Sequence, residues 1–75
     1  MNNLKSYWLL DGHDNKFPTL LAAKYECYLR YESWEALAYL KDKEISHFID
    51  GRCISKVSIT VSSRGYLFFS RPQRV

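Results

Sequence analysis

Seventy-five residues, 47% hydrophobic and 25% charged, suffice for one domain with one core. Folding hides roughly 60–65% of the surface of such a chain, which leaves no room for a cofactor domain beside a substrate domain. The balance lies outside the disordered range, and no apolar run approaches the roughly 20 residues that cross a bilayer as a helix.

The net charge of +3 is uneven. Residues 1 to 40 carry four Lys/Arg against five Asp/Glu, and residues 41 to 75 carry seven against three. A basic end of this kind draws acidic surfaces or nucleic acid through its long-range field, and equally keeps a small protein soluble. The opening Met-Asn-Asn-Leu-Lys-Ser lacks the apolar segment and small-residue cleavage site of a signal peptide, so the expectation is a cytoplasmic protein. Cys27 and Cys53 are too few for a disulfide scaffold or a zinc site, and in a reducing compartment they read as small buried hydrophobes.

In chain order, Tyr7-Trp8-Leu9-Leu10 reads as a first strand from its ring content and from the Asp11-Gly12 turn that stops it. Phe17-Pro18-Thr19 then opens a helix, with Thr19 as N-cap and an interior from Leu20 to Tyr31 free of Gly, Pro and β-branched residues. On a helical wheel Leu20, Leu21, Tyr25, Tyr28, Leu29 and Tyr31 share one broad side, the side expected to cover a sheet, with Glu26 and Arg30 opposite. A second, shorter helix is expected from Ser33 to Leu40.

Two readings compete for the next stretch. Ile45, Phe48 and Ile49 extend helical spacing from Ser33, whereas Asp50-Gly51 is a strong hairpin signal, because both central residues of a type I′ turn need positive φ. The hairpin reading makes Glu44 to Ile49 a strand paired with Arg52 onward. From Val57 to Val61 apolar and polar residues alternate as in a half-buried strand. A three-residue loop with Gly65 left-handed pairs Val61 with Leu67, so Leu67 and Phe69 join Val57, Ile59 and Val61 in the core. Tyr66 and Phe68 then lie beside Ser58, Thr60 and Ser62; a two-residue loop would reverse the faces. Pro72 is expected to end the strand and to leave the tail loose beyond it.

The fold class expected is therefore a single α+β domain over residues 1 to 75: an N-terminal strand, one or two helices, then a three-stranded antiparallel meander with the helices packed on one face.

Signals for chemistry are sparse. His13 between Asp11 and Asp14 reads as a polar turn rather than a metal site, which needs defined geometry and more ligands. His47 reads as a packed or rim histidine. No serine sits in a nucleophile elbow and no Gly-rich loop cradles phosphate. The expectation is a non-catalytic protein without cofactor or metal.

Two binding readings remain. In one, aromatic side chains and the basic end meet a protein partner or a second copy, with the Tyr7 to Leu10 strand or the final strand offering an open edge. In the alternative, Tyr66 and Phe68 stack the bases of a single-stranded nucleic acid while Lys56, Arg64, Arg71 and Arg74 meet its phosphates. These six residues are the candidate site.

The letters Phe17-Pro18-Thr19, Ala23-Lys24, Asp50-Gly51, Ile59-Thr60-Val61, Gly65 and Phe69-Ser70-Arg71-Pro72 resemble a pattern in small uncharacterised proteins encoded by phages and mobile elements of gut bacteria. That resemblance implies a helix on an antiparallel meander and an accessory factor acting on a protein partner. It assigns no functional residue.

Overall fold

A computed structural model describes residues 5–30 and 40–75. The elements are β1 (Ser6–Leu10), α1 (Leu20–Arg30), β2 (Glu44–Ile49), β3 (Arg52–Val61), β4 (Leu67–Phe69) and β5 (Gln73–Arg74). The helix expected from Ser33 to Leu40 falls largely outside the described residues, as does Tyr31. Its competitor, a single helix running to Ile49, is overturned by β2.

The strands form one antiparallel sheet in the order β1-β2-β3-β4, with β5 also on β3. Strand makes up 44% of the described residues and helix 18%. The sheet curls into a four-strand half-barrel, which corrects the α+β expectation of helices laid on one face of a three-stranded meander. Two pieces of chain produce the difference. β1 joins the sheet along the whole of β2, from Ser6 opposite Ile49 to Leu10 opposite Ile45. The tail, expected loose after Pro72, resumes as β5, with Gln73 opposite Lys56 and Arg74 opposite Ser55.

The two register shifts among the described strands both involve β3, one on each of its sides. The pairs His47↔Ser55 and Phe48↔Cys53 leave Ile54 as an extra residue, a bulge that bends β3. On the other side β4 and β5 run along β3 as one interrupted strand. Ser70 N donates to Ser58 O, and Val75 N donates to Ile54 O one register step later. Pro72 sits in that slip, where no ladder donor is required of it.

Turn chemistry follows the residues. Asp50 and Gly51 have φ of 51° and 79°, as the two-residue hairpin requires. The last hairpin has the three-residue loop: Ser62 N donates to Tyr66 O, Gly65 N to Ser62 O, and Gly65 has φ of 86°. At the start of α1 the Thr19 hydroxyl accepts from Ala22 N at 3.1 Å, an N-cap contribution of about 1 kcal/mol. Asp11 clamps β1 to β2 by accepting from Glu44 N through its carboxylate while its own N donates to Glu44 O.

The core gathers Leu10, Leu40, Ile45, Val57, Ile59 and Leu67, together with Ala23 and Cys27 of α1. Trp8, Phe17, Leu20, Val61 and Phe69 pack around it. The helix thus turns its small side inward, and the expected covering side is mostly outside. Leu21, Tyr25, Tyr28 and Leu29 are 76%, 62%, 52% and 53% exposed. Only small side chains let a helix backbone fit into the hollow of a curled sheet whose own Leu, Ile and Val already fill it. Burial pushes the Cys27 thiol up to about 11, the Glu26 charge adding to the effect.

Candidate interaction surface

The sheet's outer face carries three of the six residues singled out from the sequence, Lys56, Tyr66 and Phe68. Tyr66 and Phe68 are 62% and 56% exposed. Phe68 lies opposite Thr60, one pair from the core pair Val61↔Leu67, so the expected facing holds. Lys56 shares this face, but its ammonium lies 3.6 Å from the Glu44 carboxylate, which cancels much of its field. Arg64 is exposed in the loop and Arg71 at the slip before β5.

Arg74 belongs elsewhere. It pairs with Ser55, two residues from buried Val57, and so points to the opposite side of the sheet from Lys56. A second aromatic group, Tyr7 stacked on Phe48 at 5.3 Å with Lys16 4.7 Å from the Tyr7 ring centroid, lies at the far end of the outer face. The partners of Phe48 and Phe68 on β3, Cys53 and Thr60, lie seven residue steps apart, about 23 Å of strand. The rings therefore form two separate groups rather than a continuous stacking platform.

The other expected feature, an open strand edge, holds at one side only. On β1, Trp8 exchanges both backbone hydrogen bonds with Phe17 at 2.8 and 2.9 Å, and Leu10 O accepts from His13 N, so that edge is mostly closed. Along β4, Tyr66 and Ser70 turn their backbone bonds toward β3. Leu67 and Phe69, which alternate with them, direct theirs away, and no described strand pairs with that side.

Beside this edge, where the helical wheel predicts core, the side chains of α1 are exposed. A groove of about 660 Å³ is lined by Thr19, Leu21, Ala22, Lys24, Tyr25, Tyr28 and Phe69. Tyr28 meets Phe69 edge to face, and Lys24 Nζ lies 5.2 Å from the same ring's centroid. On α1, Leu21, Tyr25, Tyr28 and Leu29 follow the i, i+4, i+7, i+8 spacing of an amphipathic helix. Each is more than half in water. A second, narrower stripe of Ala23 and Cys27 was the available signal, since a helix seated in a filled hollow needs its small residues inward.

Both histidines are drawn into packing or local bonding. The His47 ring stacks on Trp8 with centroids 3.9 Å apart, and its Nε2 is 2.9 Å from Ser6 Oγ. His13 N closes the turn after β1. Cys53 Sγ contacts Ser55 O at 3.7 Å, and both cysteines are free thiols.

Compared with known proteins, the chain matches no family model, no curated protein and no solved structure.

Proposed function

We propose that this chain is a small non-catalytic binding protein whose contact surface is the outward side of α1 with the adjoining groove against β4, and that it docks there on another protein surface. The observation carrying this reading is the exposure of Leu21, Tyr25, Tyr28 and Leu29 on one stripe of a helix whose other side is already buried. Holding large apolar groups in water forgoes about 25 cal/mol for each Å² left uncovered. Contiguous exposed patches of several hundred Å² on small proteins mark contact surfaces. Tyr suits such a surface because it offers large area with few rotors and a polar tip. The sheet face supports a nucleic-acid role less well, with Lys56 engaged by Glu44 and Arg74 turned to the other side.

Site-specific photocrosslinking tests the reading. A photoreactive phenylalanine at position 25 is expected to give a discrete protein adduct in cells, and one at position 60, on the outer sheet face, is expected to give none. No adduct from position 25, or equal adducts from both, would overturn it.

A further inference from the structure

We infer that the occupant of this surface is a second copy of the same chain, the two α1 helices lying side by side in parallel about a twofold axis. The inference rests on the docking reading above and adds the identity and orientation of the partner.

The area is sufficient. With two Leu and two Tyr each more than half exposed, the patch offers on the order of 500 Å² per copy. With the whole patch covered, two copies together would bury about 1,000 Å², the size at which a specific interface becomes credible. Ala22, Lys24, Glu26 and Phe69 enlarge it at the rim.

The distribution of side chains is self-complementary. At about 100° per residue, Tyr25 stands at the centre of the outward side, diametrically opposite Ala23 and Cys27. Leu21 and Tyr28 fall to one side of it and Leu29 and Ala22 to the other, with Lys24 beyond the first pair and Glu26 beyond the second. When two such helices face each other in parallel about a twofold axis, each side meets the opposite side of its neighbour. Leu21 then meets Ala22 of the second copy, Tyr28 meets Leu29, and Tyr25 meets its equivalent at the axis. The groove lies on the Leu21 and Tyr28 side, the side that receives the second copy's Leu29.

Charge selects the orientation. In parallel, each Lys24 comes beside Glu26 of the other copy, giving two opposite-charge contacts. In antiparallel packing each side meets itself, so Lys24 faces Lys24 and Glu26 faces Glu26. Like-charge contacts of this kind are destabilising.

Sedimentation equilibrium of the purified full chain, with circular dichroism to verify folding of each variant, tests the inference. The parent chain is expected to show a concentration-dependent monomer–dimer equilibrium. Tyr25→Glu and the milder Tyr25→Ser are expected to be monomeric. Lys24→Glu and Glu26→Lys alone should each weaken the dimer by roughly fivefold to twentyfold at low salt, and the double exchange should restore it. A parent chain that stays monomeric overturns the inference, as does a single charge reversal that leaves the dimer unchanged or tightens it. The two readings fail differently. A position-25 adduct of foreign mass removes the second copy and keeps the docking surface, whereas no adduct removes both.

Discussion

Tyr28 of α1 sets its ring edge to face against Phe69 of β4, centroids 5.9 Å apart and planes at 69°. Lys24 places its ammonium over the same Phe69 ring. One half-buried aromatic on the last hairpin therefore steadies the helix and floors the groove. Phe69→Ala is expected to cost about 2 kcal/mol, less than a fully buried Phe. Urea unfolding should show a lowered midpoint with an unchanged slope, and a loss below about 0.5 kcal/mol would mean that α1 does not depend on this contact.

The thiol of Cys27 offers a pH readout of helix orientation. Its folded value, about 11 against an ordinary 9.0, means that the unfolded chain releases this proton first as pH rises. The unfolded state then binds fewer protons than the folded one, so the contribution is fully present below about pH 9 and is lost by about pH 11. The difference amounts to about 2–3 kcal/mol. Stability measured from pH 8 to 11 should fall more steeply for the parent than for Cys27→Ala. Equal slopes would place Cys27 in water.

At the β2–β3 turn the constraint is backbone alone. Gly51 has φ of 79°, and a Cβ there would meet nothing within 4 Å. Gly51→Ala is nonetheless expected to destabilise by about 1 kcal/mol, because an L residue resists this conformation. A neutral result in thermal unfolding would contradict the turn assignment.

Local signals of this sort were the legible part of the chain. Thr19 capping α1, Asp50-Gly51 joining β2 to β3, the three-residue loop at Gly65 and the facing of Leu67, Phe68 and Phe69 all follow from side-chain chemistry within a few residues. What escaped reading depends on contacts between distant segments. The wheel of α1 holds a large apolar stripe and a small one, and size favoured the wrong one. Ala23 and Cys27 go inward only because Leu10, Ile45, Val57 and Leu67 arrive from elsewhere and leave a narrow space. Pro72 read as a terminator because the slip that accommodates it exists only against β3. The helix face that carries the proposed surface was illegible for the same reason: tertiary packing, not local pattern, turns it outward.

The pairing of the tail gives a prediction at single-amide resolution. Backbone groups along β3 alternate in direction: Ile59 N reaches Lys43 O, and Ile54 O receives Val75 N. The Lys56 amide accordingly faces β5. Truncation after Pro72 should accelerate hydrogen exchange at Lys56 while leaving Ile59 protected, with a stability loss of about 1 kcal/mol. Unchanged exchange at Lys56 would show that β5 contributes nothing.

The outward orientation of Tyr25 underlies both the proposed docking surface and its proposed occupant. The most direct test is chemical denaturation of Tyr25→Glu beside Ala23→Glu, at protein concentrations low enough to keep the chain monomeric. Tyr25→Glu should lie within about 0.5 kcal/mol of the parent, as surface changes do. Ala23→Glu, which buries a charge in the core, should unfold the domain or cost more than about 3 kcal/mol. A loss of about 2 kcal/mol or more from Tyr25→Glu would place that ring in the core and remove the surface altogether.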